Sequence, residues 1–177
     1  TTLFRSRAIA MADHIRDLDG LAVFDYLSAT LAMRVEGAGV EHIPRSGAAL
    51  ITANHPAGIA DGIAVYDLLK AVRRDLTFFA NRDALRVAPG LADVVVPVEW
   101  RVEHRSHQRN RETVRHMLEA FRRQRLVVIF PSGRLAAPTL HGLVEREWLP
   151  TALNLAQKQR CPVLPLHVQG RNSALYY

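Results

Sequence analysis

The stretch Ala48-Ala49-Leu50-Ile51-Thr52-Ala53-Asn54-His55-Pro56-Ala57-Gly58-Ile59-Ala60-Asp61-Gly62 joins an apolar run to a turn and then to an amphipathic segment. The run over residues 48 to 53 is typical of a buried strand, and apolar side chains at helical spacing follow Asp61. Pro56 forbids continued strand pairing, and Gly58 permits a positive φ. The stretch therefore predicts a strand-to-helix junction at which the backbone folds back on itself.

His55 and Asp61 lie six positions apart across this predicted turn. A single histidine is more often a structural residue, and an aspartate before a helix is usually its N-cap. An imidazole and a carboxylate that a turn brings together are instead typical of a general base with the acid that orients it. We therefore interpret the pair as a candidate catalytic site.

The rest of the chain predicts an α/β fold with a mostly parallel central sheet flanked by helices, because predicted strands alternate with predicted helices. An N-terminal helical hairpin over residues 1–33, with a turn at residues 17–20, precedes this core. The core is expected to fill residues 34–177. Its further predicted strands are residues 76–80, 94–98, 126–130 and 163–168, and its helices are residues 61–73, 112–124 with Asn110 as cap, and 150–159.

Composition indicates one globular domain, since 177 residues suffice for a core and no run of eighteen apolar residues predicts a membrane span. The single cysteine, Cys161, excludes an internal disulfide and a cysteine metal cluster, as expected in a reducing cytoplasm. His104 and His107 are too sparse for a zinc site, so no metal is expected.

A formal charge of +6 indicates an anionic partner. The composition leaves open phospholipid headgroups, the phosphates of a coenzyme, an acidic carrier protein and nucleic acid. The densest basic region runs from Arg101 to Arg111 and is interpreted either as a docking patch or, with more weight, as a solvated loop.

Two further polar segments follow predicted strands, namely Asn81-Arg82 and Pro131-Ser132-Gly133-Arg134. Ligands of parallel sheets bind beyond the carboxyl ends of the strands, so these segments are expected to meet His55 at one edge. An arginine there is suited to hold a phosphate or a carboxylate.

Several of these segments resemble the conserved blocks of the glycerolipid acyltransferases. Asn54-His55-Pro56 with Asp61-Gly62 resembles the first block, Phe130-Pro131-Ser132-Gly133-Arg134 the third, and Val163-Leu164-Pro165-Leu166-His167-Val168 the fourth. Arg82 falls where the weaker second block lies, and the resemblance covers about residues 34 to 173.

The chain departs from the family pattern in two places. Five residues separate His55 from Asp61, where the family usually has four, and this spacing is similar to that of the hemolysin-like and ornithine-lipid branch. In the third block Ser132 replaces the usual glutamate, and Arg134 stands one place early.

The resemblance implies an O-acyltransferase that moves a fatty acyl group from acyl-CoA or acyl carrier protein to a hydroxyl of a lyso-lipid. It implies no cofactor beyond this co-substrate, no nucleic acid partner, and peripheral contact of a cytoplasmic protein with the anionic inner face of the cell membrane. His55 and Asp61 would be catalytic. The residues implied to bind substrate are Asn54, Gly58, Arg82, Ser132, Gly133 and Arg134.

Two other interpretations stay open at this point. Ser132 follows a strand and would serve a serine esterase or thioesterase as nucleophile, although the Gly-x-Ser-x-Gly elbow is absent. The chain would otherwise be a basic module that binds a membrane or nucleic acid without catalysis, although no helix-turn-helix or stacking-aromatic pattern accompanies its arginines.

Overall fold

A computed structural model gives the structure of this protein and describes residues 2–99, 101–104, 106–140 and 142–170. It shows a mixed α/β fold in which a five-stranded sheet is flanked by helices. The helices are α1 (Thr2–Arg16), α2 (Gly20–Leu31), α3 (Ile59–Leu69), α4 (Ala84–Val87), α5 (His107–Arg122) and α6 (Thr151–Gln159). The strands are β1 (Ala49–Ala53), β2 (Leu76–Asn81), β3 (Val95–Val98), β4 (Leu126–Ile129), β5 (Ala137–Thr139), β6 (Gly142–Val144) and β7 (Val163–Leu166).

The main sheet has the strand order β3-β2-β4-β1-β7, and each neighbouring pair is parallel. Ala49 aligns with Leu126 of β4, and Leu50 aligns with Val163 of β7. Helices cover both faces, which explains why β1 and β4 are buried throughout rather than on alternate residues. The predicted fold class is confirmed.

The core has one apolar layer on each face of the sheet. On one face, Phe24 of α2 packs between Tyr66 of α3 and Phe78 of β2, with ring centroids 4.9 Å and 4.8 Å apart. On the other face, Phe121 of α5 and Leu155 of α6 lie in one buried cluster with β1 and β4. These layers hold β1 rigidly, and its carboxyl end carries His55.

The N-terminal helices α1 and α2 are present as predicted. Asp19 caps α2, because its side chain accepts the main-chain N–H of Ala22 at 2.9 Å. The rings of His14 and Tyr26 are 4.5 Å apart, so the two helices contact each other. No helix of the described residues is long and apolar enough to cross a membrane.

The predicted start of helix α5 was wrong by five residues. The helix begins at His107 rather than residue 112, and its cap is Ser106 rather than Asn110, because the Ser106 side chain accepts the N–H of Arg109 at 3.2 Å. Part of the basic region predicted as a loop is therefore helical. A short 3-10 helix, Val40–His42, precedes β1.

The antiparallel hairpin of β5 and β6 was not predicted. The core predicted over residues 34–177 includes residues 171–177, which lie outside the described residues.

Candidate active site

The junction between β1 and α3 is built as its sequence requires. Gly58 is the N-cap of α3 and has φ 77° and ψ −127°, a conformation that a residue with a Cβ adopts only with strain. The five residues from Asn54 to Gly58 turn the chain back, and Asp61 falls in the first turn of the helix. The turn thus brings the Asp61 side chain to the end of β1.

One carboxylate oxygen of Asp61, Oδ2, accepts three hydrogen bonds. Its donors are the main-chain N–H groups of Ala57 and Gly58, at 2.8 Å and 2.9 Å, and Nδ1 of His55 at 2.9 Å. The side chain of Asp61 is only 2% exposed. Asp61 therefore stabilises the turn through its bonds to the main chain, and it also orients the imidazole of His55.

The contact with Asp61 sets the tautomer of His55. A carboxylate only accepts, so the neutral imidazole carries its proton on Nδ1 and leaves a lone pair on Nε2. The His55 side chain is 20% exposed, while its acidic partner is buried. A ring with one nitrogen bound to a buried carboxylate and part of its surface open is arranged as a general base should be.

A flat apolar contact fixes the plane of the imidazole. The ring of His55 stacks on the ring of Phe130, with centroids 4.3 Å apart and an interplanar angle of 25°. Phe130 directly follows β4, the neighbour of β1 in the sheet. The carboxyl ends of these two parallel strands therefore form one site, as the sequence predicted for segments that follow parallel strands.

The side chain of Asn54 is engaged in the structure of the site. Its Nδ2 donates to the carbonyl of Val168 at 2.8 Å, and its Oδ1 accepts the N–H of Val168 at 2.6 Å. This pair of bonds joins the residue after β1 to the chain just beyond β7. Both ends of the amide are thereby used, and the substrate-binding role that the resemblance implied for Asn54 stays a prediction.

Arg82 follows β2 at the same edge of the sheet, two strands away from β1. Its side chain is 18% exposed, and its NH1 donates to Glu112 of α5 at 2.6 Å. The atoms Nε and NH2 are buried and have no hydrogen-bond partner among the described residues. Buried donors without partners are costly, so Arg82 has unused capacity to bind an anion.

The segment after β4 is a tight turn. Gly133 has φ 62°, in the left-handed region, and its N–H bonds to the carbonyl of Phe130 at 2.9 Å. The buried hydroxyl of Ser132 donates to the carbonyl of Arg134 at 2.9 Å. No hydrogen bond joins Ser132 to His55 within the described part of the chain, so this geometry gives no support to a serine nucleophile. The side chain of Arg134 is exposed.

Part of the basic region after β3 is neutralised from within. The buried carboxylate of Glu99 pairs with Arg101 at 3.4 Å and with Arg109 at 2.7 Å. Burial acts to raise the pKa of Glu99, but hydrogen bonds from Arg101 and the charges of both arginines hold that pKa below its ordinary value. These two arginines are therefore committed to Glu99, which weakens the interpretation of this region as a docking patch.

One residue near His55 escaped the sequence analysis. Glu145, which directly follows β6, accepts the main-chain N–H of His55 through Oε2 at 3.1 Å. The two residues are 90 positions apart, and no motif marks the glutamate.

Comparison with known proteins decides the family. The family model described as Acyltransferase matches residues 34–169, which is most of the chain and includes the His55–Asp61 junction. The chain belongs to the acyltransferase family. The sequence assigned this chain to the glycerolipid acyltransferase family, and that assignment is confirmed; the hemolysin-like and ornithine-lipid branch stays a prediction.

Two similar proteins are both named lyso-glycine lipid O-acyltransferase. The chain is 27% identical to the protein from Phocaeicola vulgatus over 183 residues, covering 96% of this chain and 63% of that protein. It is 27% identical to the protein from Bacteroides thetaiotaomicron over 158 residues, covering 86% of this chain and 56% of that protein. The chain thus spans about three fifths of the length of these relatives.

The residues that the structure describes contain no group of three or more His, Cys, Asp or Glu side chains placed to hold a metal ion.

Proposed function

We propose that this acyltransferase moves a fatty acyl group from a thioester, acyl-CoA or acyl carrier protein, to a hydroxyl of a lyso-lipid. The observation that carries the proposal is the 2.9 Å contact between Nδ1 of His55 and the buried Oδ2 of Asp61. It lies at the carboxyl edge of a parallel sheet, where ligands of such folds bind.

The proposed reaction is a direct transfer with His55 as general base. Nε2 takes the proton of the acceptor hydroxyl while that oxygen bonds to the thioester carbonyl carbon. Asp61 stabilises the imidazolium that forms and keeps the ring oriented. When the tetrahedral intermediate collapses, the carbon–sulfur bond breaks and the proton passes from Nε2 to the departing thiolate. Neither a metal nor an enzyme nucleophile is needed.

Two arginines support an acceptor that carries a phosphate or a carboxylate. Arg82 offers two buried donors with no partner among the described residues. Arg134 is exposed at the turn that follows Phe130, whose ring contacts His55. The names of the two relatives favour a lyso-lipid in particular. We therefore place Arg82 and Arg134 at the anionic group of the acceptor.

The proposed donor is either acyl-CoA or acyl carrier protein, since the phosphates of the first and the acidic surface of the second both suit a chain of charge +6. Both enter as co-substrates.

We further propose that the protein works in the cytoplasm and contacts the anionic inner face of the cell membrane peripherally. The stretch of described residues from Leu140 to Leu153 supports this, because it exposes several large apolar side chains. Leu149, within that segment, donates its N–H to the carbonyl of Pro131 at 3.1 Å. Co-sedimentation with phosphatidylglycerol vesicles but not with phosphatidylcholine vesicles is the expected result. Binding to neither kind of vesicle, or equal binding to both, contradicts it.

The test of the reaction incubates the purified protein with acyl-CoA or acyl carrier protein and either a lyso-glycine lipid or a lysophosphatidic acid. Products are identified by mass spectrometry. His55→Ala should lower turnover by about 10²- to 10⁴-fold, the usual contribution of a general base. His42→Ala is the matched control, since the His42 side chain is 78% exposed and lies in the 3-10 helix before β1. Equal turnover of the two variants rejects the role of His55.

A further inference from the structure

The hairpin of β5 and β6 is attached at both ends to the main chain of His55. Ala136, just before β5, donates its N–H to the carbonyl of His55 at 2.9 Å. Glu145, just after β6, accepts the N–H of His55 through Oε2 at 3.1 Å. The two backbone groups of the proposed base are therefore both bonded to a single element that the sequence did not reveal.

Glu145 is itself held in place by its other oxygen. Oε1 accepts the indole N–H of Trp148 at 3.2 Å, and Leu149 then bonds to the carbonyl of Pro131 at 3.1 Å. The chain after the hairpin is thus fastened to the turn that follows β4. No arginine or lysine of the described residues forms an ion pair with Glu145, so its carboxylate serves two neutral N–H donors rather than a salt bridge.

The contacts of His55 divide between its ring and its backbone. Asp61 and Phe130 orient the imidazole, but they leave the position of its Cα to the bonds made by the main chain. Ala136 supplies one of these bonds from its own backbone, and a substitution there leaves it intact. Glu145 supplies the other from a side chain, so this bond can be removed by mutation.

We propose that Glu145 is a positioning residue for His55: its carboxylate fixes the main chain at the end of β1, so that Nε2 points at the acceptor hydroxyl. The inference rests on the proposed function of His55. General-base catalysis depends on placement, and a shift of about 1 Å can cost on the order of 10²-fold in rate. Glu145 acts through His55 and contacts no substrate.

The test is Glu145→Gln beside Glu147→Gln. A glutamine keeps the size of the side chain but has one acceptor oxygen, so it cannot accept from both His55 and Trp148. We expect kcat to fall about tenfold with KM for both substrates within about twofold of the original protein. Glu147→Gln removes the same charge from an exposed carboxylate two residues away and should leave both constants unchanged.

A second measurement separates positioning from loss of fold and from failure of the proposed function. In protein labelled with ¹⁵N-histidine, the Nδ1–H resonance of His55, assigned by its absence in His55→Ala, reports the bond to Asp61 regardless of activity. Glu145→Gln should shift or broaden this resonance, and Glu147→Gln should not. An unchanged resonance together with unchanged kcat overturns the proposal for Glu145. An active His55→Ala variant instead overturns the proposed function and leaves the resonance to decide whether Glu145 positions the ring.

Discussion

The ring of His55 lies against the ring of Phe130, with centroids 4.3 Å apart, so the strand next to β1 supplies one wall for the proposed base. Phe130 is nearly buried and comes directly after β4. Stacking on Phe130 restricts rotation of the imidazole about its Cβ–Cγ bond, whereas the hydrogen bond to Asp61 restricts tilting of the ring. The two contacts together leave the ring one orientation.

Replacing Phe130 by Leu should lower kcat/KM by about two- to tenfold, the range that corresponds to the loss of one aromatic pair. The remaining bond to Asp61 keeps the ring near its position, so the loss should be smaller than in His55→Ala. The measurement is kcat/KM well below the melting temperature. The control is Phe78→Leu. Phe78 lies on β2 and stacks on Phe24 of α2, so this variant loses a similar ring that does not contact His55. An equal fall in both variants would assign the effect to stability.

Asp61→Asn should lower kcat by about 10²- to 10⁴-fold while the protein still folds. The one oxygen of an amide can still accept from Ala57, Gly58 and the imidazole, but it carries no charge, so it no longer stabilises the imidazolium that forms in the reaction. Activity and a thermal melt are the measurements.

The control for Asp61→Asn is Asp19→Asn. Asp19 caps α2, and asparagine caps a helix about as well as aspartate, so neither stability nor activity should change. Wild-type turnover in Asp61→Asn would remove the carboxylate from the mechanism.

The fold and the His55–Asp61 pair were predictable because their signals are local. Pro56 and Gly58 impose the turn, and the apolar pattern changes from a continuous run to helical spacing within a dozen residues. The carboxyl ends of parallel strands must share an edge, and this geometry alone predicted that Arg82 and the turn after Phe130 lie at the edge of the sheet that carries His55.

The rest of the site depends on contacts between residues far apart in sequence. Asn54 bonds to Val168 across 114 positions and Glu145 to His55 across 90 positions, and neither pair carries a pattern. The β5–β6 hairpin was missed because its strands have three residues each and include Pro138, which normally argues against a strand. The start of α5 was missed because Ser106 and Asn110 both suit an N-cap and lie in the same polar run.

Arg82→Lys should raise KM for the acceptor by about ten- to hundredfold and change kcat little. Lysine keeps the charge and can still reach Glu112, but it lacks the planar set of donors that leaves Nε and NH2 of Arg82 available. The expected size is that of one hydrogen bond to a charged group. Steady-state kinetics with the acceptor varied give the result.

Arg86→Lys is the control for Arg82→Lys, because Arg86 is exposed on α4 only four positions away. An unchanged KM in Arg82→Lys would show that Arg82 serves only its bond to Glu112.

Stability at low pH should depend on Arg73, which is buried and donates to the carbonyls of Pro44, Gly47 and Gln124 as well as to Asp75. Hydrogen bonding to this guanidinium lowers the pKa of Asp75 below its ordinary value. A folded-state pKa below the unfolded one stabilises the protein fully above about pH 4, and this contribution disappears as the pH falls through the folded-state pKa.

Arg73→Lys should therefore lower the free energy of unfolding at pH 7 by about 2–4 kcal/mol, because one ammonium cannot replace a fork of donors that reaches four residues. It should also make the loss of stability below pH 4 less steep, because the folded-state pKa of Asp75 then lies closer to its unfolded value. Urea unfolding at pH 7, 5, 4 and 3 measures both effects. Arg74→Lys, at a half-exposed pair with Asp25, should change stability far less and keep the acid dependence of the original protein. If Arg73→Lys kept the same steep acid dependence, the lowered pKa of Asp75 would have a source other than Arg73.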